Sequence, residues 1–307
     1  MRVLFYGTPE FAVPALRALL GEGFDVVGVV TRPDRPTGRH RSSAAPSPVK
    51  VAAVAEDLTV LEPAAPAEED FQARVRDLAP DCAAVVAYGH ILPERLLGIP
   101  RLGHVNVHAS LLPHLRGAAP IERAILEGWT ETGITVIRMD AGMDTGPVLI
   151  RVPTPILPDE TGGELRTRLS ELGALALVEA LTLLDEGGVP AEPQDHAHAS
   201  YAPKLKAEEE RIHWSRGAAE LARQVRAFDP RPGAWCECRG AALKLFGGRS
   251  REGAGPPGQV LAAGDTLVVA CGEGALEVSD AQPAGKGRMT ARAFVNGRHV
   301  AVGDVLA

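Results

Sequence analysis

The sequence has few cysteines and no long apolar segment, and each absence excludes a class of protein. The cysteines, sparse enough to fit a reducing compartment, are Cys82, Cys236, Cys238 and Cys271. Cys236 and Cys238 lack the spacing of a zinc ribbon, so we expect no metal site. No apolar run reaches membrane-spanning length and the chain opens directly into a strand pattern, so we expect no membrane segment, no signal peptide and a cytoplasmic location.

Two further signatures are missing. The turn after the first predicted strand carries only Gly7 instead of a G-x-G-x-x-G fingerprint, which argues against a dinucleotide site and therefore against an oxidoreductase. The formal net charge of −7 argues against nucleic-acid binding by the whole surface, although it permits a local basic patch.

The apolar residues that are present predict two folded parts. A hydrophobic content of 45% supports a full core, and a strand–helix–strand opening predicts a doubly wound parallel sheet. Short apolar runs separated by glycines near the end predict a small β-barrel. We expect an α/β catalytic domain over 1–189, a polar linker over 190–207 and a barrel domain over 208–307, with a helix over 212–228.

The most informative stretch runs from His104 to Gly117. Valines alternate around Asn106, as in a β-strand, so Asn106 and His108 should point to the same face. They precede a break in the strand, and open α/β sheets bind ligands at the carboxyl ends of their strands. The amide can donate to a developing oxyanion and the imidazole can exchange a proton near neutral pH, although both residue types are also common as ordinary buried side chains.

A glycine-rich loop with two acidic residues follows a second predicted strand. Asp140 and Asp144 lie in this loop, where they either form turns or orient a histidine. The sequence has no G-x-S-x-G motif and no nucleophile beside His108, so the pattern favours general acid–base chemistry with oxyanion stabilisation over covalent catalysis.

The segment from Arg32 to Lys50 is the most basic part of the chain. Its prolines, glycine and serines predict a long loop without regular structure. Two interpretations stand: a solvated connector, or a mobile basic arm that binds phosphates.

These motifs together resemble the folate-dependent formyltransferase family. The resemblance covers both predicted domains, and it is carried by Asn106-x-His108-x-Ser110-Leu111-Leu112-Pro113, Arg116-Gly117-Ala118-Ala119-Pro120-Ile121, Asp140-x-Gly142-x-Asp144-Thr145-Gly146, Gly7-Thr8-Pro9-x-Phe11, Arg35-Pro36-x-Gly38-Arg39, Pro46-Ser47-Pro48-Val49-Lys50 and Tyr201-Ala202-x-Lys204-Leu205.

The resemblance implies a Rossmann-like domain with a mostly parallel sheet that binds 10-formyltetrahydrofolate, followed by an OB-like barrel that helps to hold tRNA. It implies that Asn106, His108 and Asp144 carry the chemistry without a metal. The residues implied to line the folate site are Ser110, Leu111, Leu112 and Pro113, with Ile91 and Leu92 packing on the pterin.

The resemblance also implies a substrate, the initiator methionyl-tRNA, and we expect the protein to be a monomer. The implied tRNA contacts are Arg39, Arg35, Arg41, Lys204 and Lys206. Relatives often carry consecutive lysines after the arginine that matches Arg39, whereas this chain has His40-Arg41-Ser42-Ser43, which predicts a smaller electrostatic share for the loop. The alternatives are a formyltransferase for a sugar amine or small nucleotide, and a non-enzymatic RNA-binding protein.

Overall fold

The structure is a computed structural model that describes residues 1–37, 43–188 and 190–307. Within the described residues the strands β1 to β19 are, in chain order, Arg2–Gly7, Asp25–Val30, Arg35–Thr37, Ser43–Ala45, Val60–Leu61, Cys82–Val86, His104–His108, Arg116–Gly117, Glu131–Arg138, Val148–Pro155, Tyr201–Ala202, Ala234–Cys238, Ala241–Phe246, Arg249–Arg251, Val260–Ala263, Leu267–Ala270, Ala275–Val278, Asp280–Pro283 and Met289–Thr290. The helices α1 to α8 are Val13–Gly21, Pro48–Ala55, Glu69–Leu78, Glu94–Leu97, Pro120–Glu127, Gly162–Asp185, Ala218–Ala227 and Ala291–Asn296.

The first of two compact units comprises Met1–Gly117, Thr132–Thr154 and Thr167–Tyr201. Its seven-stranded sheet has the order β10-β9-β7-β6-β1-β2-β5. The strands from β5 to β7 across this order are parallel neighbours, and β9 joins β7 antiparallel. The chain therefore winds outward in both directions from β1 and β6, and the carboxyl ends of β1, β6 and β7 share one edge.

The sheet forms because its central strands are apolar on both faces. Val3, Leu4, Phe5 and Tyr6 in β1 are all 0% exposed, and β6 is buried throughout. Strands buried on both sides are characteristic of parallel sheets covered by helices. Because each fully buried large apolar side chain stabilises the fold by about 1.5–3 kcal/mol, β1 and β6 form a rigid base for the residues at their carboxyl ends.

The second compact unit comprises Ala118–Glu131, Pro155–Arg166 and Ala202–Ala307. It contains two four-stranded sheets, β12-β13-β18-β19 and β14-β17-β16-β15, whose recorded strand pairs are all antiparallel. Helix α7 packs on α5 and on strands β14 and β17. The sequence predicted a small OB-like β-barrel here, and the structure confirms a C-terminal domain of short antiparallel strands.

The helix predicted over 212–228 begins later than expected. Helix α7 starts at Ala218, after Gly217 in an extended conformation. The N–H of Ile212 instead donates to the carbonyl of Trp235, so this residue adds to the edge of a strand. The apolar spacing before Gly217 looked helical because burial against a strand edge selects the same residue types.

The prediction that the basic segment lacks regular structure is also wrong in part. Strands β3 and β4 pair antiparallel, with Arg35 opposite Ala45. Helix α2 then begins at Pro48, and the Ser47 hydroxyl accepts a hydrogen bond from the N–H of Lys50. Short antiparallel pairing needs no continuous apolar pattern, so the proline and serine content of this segment concealed it. Among the described residues, no helix is long and apolar enough to cross a membrane.

Candidate active site

Strand β7 carries Asn106 and His108, the first two of the predicted catalytic residues. It lies between β6 and β9, with Asn106 opposite Val85 on one side and Ile137 on the other. Asn106 is half-buried and His108 is 5% exposed. Because the two residues are separated by one position, their side chains lie on the same face of the sheet, at its carboxyl edge as predicted.

The orientation of His108 is set by a backbone carbonyl. The Nε2 atom of His108 lies 2.9 Å from the carbonyl oxygen of Leu115. A carbonyl can only accept, so Nε2 must carry the proton and donate it. In the neutral imidazole the free lone pair is therefore on Nδ1, and this is the atom that can accept a proton from a substrate.

Asp144 lies on the Nδ1 side of the imidazole. Its Oδ2 atom is 3.6 Å from the Nδ1 of His108, too far for a hydrogen bond but close for an ion pair. The same oxygen accepts a 2.8 Å hydrogen bond from the N–H of Gly117. Asp144 has a φ of 55°, in the left-handed region that few residues other than glycine adopt. The carboxylate is therefore held ready to stabilise a protonated His108.

The two acidic residues of the glycine-rich loop have different tasks. Asp140 is exposed, and its Oδ1 accepts hydrogen bonds from the N–H of Gly142 at 3.0 Å and from the Thr145 hydroxyl at 2.6 Å. Asp140 is thus the turn former, while Asp144 faces the histidine. A Cβ at Gly146 would overlap the carbonyl oxygen of Arg138, so the loop can close only with glycine there.

The predicted folate segment, Ser110 to Pro113, follows β7 and is anchored by hydrogen bonds to the side chain of Thr135. The hydroxyl of Thr135 donates to the carbonyl of Ser110 at 2.6 Å and accepts from the N–H of Leu112 at 3.0 Å. Ser110 and Leu112 are each 1% exposed, while Leu111 and Pro113 are half-buried. The structure therefore leaves the backbone of this segment and the side chains of Leu111 and Pro113 as the parts a ligand could reach.

Ile91 and Leu92, the other predicted folate residues, differ sharply in exposure. Ile91 is 91% exposed, whereas Leu92 is 5% exposed and belongs to an apolar cluster with Tyr88. An aliphatic side chain exposed to this extent gains free energy if a flat apolar ligand covers it.

Of the predicted tRNA contacts, two are fully described. Lys204 and Lys206 are exposed, and the backbone N–H of Lys206 donates to the Glu209 carboxylate at 2.8 Å. The backbone of Arg35 lies in β3. Arg39 and Arg41 lie outside the described residues.

His104, the other histidine of β7, lacks the polar surroundings of His108. His104 is 1% exposed, and burial lowers its pKa to about 4. Its ring lies 5.6 Å from the ring of Tyr6. His104 is therefore an uncharged core residue near neutral pH, whereas His108 has both a donor contact and a facing carboxylate.

Two residues that the sequence analysis did not assign to the site contact it. Arg116 is 2% exposed and donates to the side-chain oxygen of Gln194, which is 5% exposed. Gln194 donates in turn to the carbonyls of Asp144 and Gly146, at 2.8 and 2.7 Å. Gln194 falls in the stretch predicted to be a linker, and nothing in its local sequence marks it. Within the described ranges, no group of three or more His, Cys, Asp or Glu side chains is arranged to hold a metal ion.

An amide, an imidazole and a carboxylate at the carboxyl edge of a doubly wound domain are groups suited to acyl-group transfer. Comparison with known proteins identifies the class of transferase. The formyl transferase profile matches residues 1–181, and the formyl transferase C-terminal domain profile matches residues 204–299. The chain therefore belongs to the formyl transferase family.

Two similar proteins and one solved structure bear the same enzyme name within this family. Methionyl-tRNA formyltransferase of Pseudomonas putida is 50% identical over 288 residues, covering 93% of each chain. The enzyme of the same name from Pseudomonas fluorescens is 48% identical over 309 residues, covering 100% of this chain and 97% of its own. The solved methionyl-tRNA formyltransferase from Clostridium thermocellum has a TM-score of 0.60 at 16% identity, covering 94% of this chain and 100% of its own. The predicted family and the two-part fold class are confirmed.

Proposed function

We propose that this protein transfers the formyl group of 10-formyltetrahydrofolate to the α-amino group of initiator methionyl-tRNA. The observation that carries the proposal is the placement of His108 and Asp144, 3.6 Å apart, with Asn106 two positions before His108 on the same strand. Relatives that are about half identical over nearly their whole length bear the name of this activity. A sugar amine or small nucleotide is a weaker candidate for the acceptor because these relatives are named for methionyl-tRNA.

The reaction forms a bond between the substrate amine and the formyl carbon and breaks the bond from that carbon to N10 of the folate. The amine loses one proton, N10 gains one, and negative charge develops on the formyl oxygen. Asn106 donates its amide N–H to that oxygen. His108 accepts the proton at Nδ1, and Asp144 stabilises the resulting imidazolium before the proton passes through water to N10.

For the folate, we assign the pterin to the exposed side chain of Ile91 and the backbone of Ser110 to Pro113. Burying one aliphatic side chain contributes about 1.5–3 kcal/mol, which corresponds to roughly tenfold to a hundredfold in affinity. Ile91→Ser should raise the dissociation constant for 10-formyltetrahydrofolate by about tenfold. Val54, which is 59% exposed on α2, provides the matched control Val54→Ser. Equal affinities of the two variants would remove Ile91 from the pterin site.

The direct test of the activity is the rate of formyl transfer from 10-formyltetrahydrofolate to charged initiator tRNA, measured beside free methionine and an amino sugar. We expect the charged tRNA to exceed the small amines by at least a hundredfold in kcat/KM, because remote contacts contribute to the transition state. Faster transfer to the amino sugar would favour the small-substrate alternative. Absence of both transfer and folate binding would favour a non-enzymatic RNA-binding protein.

For the tRNA, we assign the acceptor end to Arg39, with Arg35 and Arg41 beside it and the exposed Lys204 and Lys206 on phosphates. Paired arginines contribute directed hydrogen bonds, while isolated lysines contribute a salt-dependent attraction. Lys206 is exposed, and the Glu209 carboxylate that accepts from its backbone N–H also attracts its charge. A tRNA phosphate would compete with Glu209 for this ammonium group.

We also propose a catalytic domain over 1–189, a linker over 190–207 and a tRNA-binding domain over 208–307. The first part of this linker, including Gln194, packs within the first compact unit. We further propose that the protein is a monomer and acts in the cytoplasm. Light scattering with and without tRNA tests the monomer, and a constant dimer mass would refute it.

A further inference from the structure

Arg116 is a buried cation without an acidic partner. Its Nε and Nη2 atoms donate to the Oε1 of Gln194 at 3.2 and 2.6 Å, and Nη2 also lies 3.0 Å from the Nδ1 of His196. Across the described residues, no carboxylate forms an ion pair with this guanidinium. A buried charge is costly unless its donors are satisfied, so this neutral arrangement calls for a reason beyond packing.

The chemistry of these contacts admits only one orientation of the Gln194 side chain. Arginine can only donate, and backbone carbonyls can only accept. A carboxamide satisfies both by turning Oε1 to Arg116 and Nε2 to the carbonyls of Asp144 and Gly146. Neither a carboxylate nor an amine could replace it, because each lacks one of the two functions.

The backbone around Arg116 holds the two reacting side chains as well. The carbonyl of Leu115 accepts from His108, and the N–H of Gly117 donates to the carboxylate of Asp144. The stretch from Leu115 to Gly117 is therefore tied to the Asp144 loop twice, once through Gly117 and once through Arg116 and Gln194.

We propose that Arg116 and Gln194 are positioning residues that set the Asp144 carboxylate against the Nδ1 of His108. This inference rests on the proposed function, because it assigns them a role in the same site. The guanidinium fixes the carboxamide, and the carboxamide fixes the backbone of the loop on both sides of Thr145. A displacement of about 1 Å at such a site can cost on the order of a hundredfold in rate, so the loss should appear in kcat.

We call the pair Arg116 and Gln194 the clamp. The test exchanges one atom of this pair, the side-chain nitrogen of Gln194, for oxygen. Gln194→Glu keeps the size of the side chain and its contact to Arg116, but it turns an oxygen toward the two loop carbonyls. Gln224 provides the matched control: it is 4% exposed in the other unit and donates to the carbonyls of Glu209 and Arg211 at 2.8 and 3.0 Å. Gln224→Glu therefore repeats the exchange of nitrogen for oxygen toward a similar pair of carbonyls. The two positions differ in one respect, since the Oε1 of Gln224 has no hydrogen-bond partner among the described residues, whereas that of Gln194 accepts from Arg116.

We expect Gln194→Glu to lower kcat by about tenfold to a hundredfold with both KM values within about threefold, and Gln224→Glu to leave kcat within about twofold. In an Asp144→Asn background, Gln194→Glu should cause no further loss, because the carboxylate it positions is gone. The proposal would be overturned if the kcat losses of Asp144→Asn and Gln194→Glu multiplied in the double variant. It would also be overturned if Gln224→Glu lowered kcat as much as Gln194→Glu does. If Gln194→Glu does not fold, Gln194→Met removes the amide without adding charge and carries the same expectation.

A second readout does not depend on activity. The N–H of Gly117 is held by Asp144, so its hydrogen exchange reports the position of the carboxylate. Exchange at Gly117 should accelerate at least tenfold in Gln194→Glu and remain unchanged in Gln224→Glu, and unchanged exchange in both would refute the clamp. If the wild-type protein failed to formylate methionyl-tRNA while this difference appeared, the proposed function would be wrong and the clamp would stand.

Discussion

The exchange of Asp144 for asparagine separates the chemical role of the carboxylate from its structural role. Asparagine has nearly the same shape, and its Oδ1 can still accept the hydrogen bond from Gly117, which is 2.8 Å long in the wild type. The change therefore removes the negative charge facing His108 and keeps the contact that anchors the loop. We expect a large loss of turnover with little change in stability.

The distance between the two groups sets the size of the loss. Two unit charges 3.6 Å apart attract by about 1 kcal/mol in water and about 5 kcal/mol at an effective permittivity of 20. The side chains are 6% and 15% exposed, so the upper part of this range applies. Since about 1.4 kcal/mol equals tenfold, Asp144→Asn should lower kcat by about a hundredfold to a thousandfold.

The assay compares three proteins under single-turnover conditions with saturating methionyl-tRNA. Asp144→Ala should lose as much activity as Asp144→Asn and should also lose about 1 kcal/mol of stability, because the half-buried N–H of Gly117 loses its acceptor. Thermal unfolding measures that difference. A turnover of Asp144→Asn within threefold of the wild type would show that the charge does not act on His108, and the mechanism proposed here would then fail at that step.

Three further predictions concern other parts of the chain. Gly146→Ala should lower kcat more than tenfold because a Cβ there overlaps a backbone carbonyl, whereas Gly21→Ala, where a Cβ meets open space, should be neutral in the same assay. Burial lowers the pKa of His104 to about 4, so between about pH 6.5 and pH 4 the unfolded chain binds a proton that the folded chain does not. The free energy of unfolding should therefore fall by up to about 3 kcal/mol as the pH falls. Urea unfolding at pH 7 and pH 4.5 should show a smaller fall in His104→Leu than in the wild type, and equal falls would contradict the buried neutral state. Arg39→Ala should raise the KM for methionyl-tRNA at least tenfold without changing folate affinity, while Arg101→Ala, a control at a 63% exposed side chain, should do neither; unchanged tRNA constants across a range of salt would make the basic segment a mere connector.

The residues on β7 were predictable from the sequence because their placement depends on local rules. Alternating valines fix the strand, alternation fixes the shared face of Asn106 and His108, and the break after the strand fixes the edge of the sheet. Each rule uses a few neighbouring residues, so no knowledge of distant contacts was needed.

The choice between Asp140 and Asp144 could not be made from the same kind of rule. Both lie in a glycine-rich loop after a strand, and both types of role were open to either. The structure separates them by their contacts: Asp144, at a φ of 55°, accepts from the N–H of Gly117, whereas Asp140 accepts from groups of its own loop. The Asp144 contact joins positions 27 apart, so no local rule could reveal it.

The sequence did not reveal the role of Gln194 because a polar composition predicts exposed residues, not buried ones. A polar stretch with prolines predicts a linker because it offers little apolar area to a core. Gln194 is buried by hydrogen bonds instead, to Arg116 78 positions away and to the Asp144 loop 50 positions away. Leaving either partner unpaired in the interior would cost about 1–3 kcal/mol, so each of these polar residues is stable there only because the other is present. A buried polar network is therefore specified jointly by distant residues, and a site that depends on one is visible in the sequence only through its reacting groups.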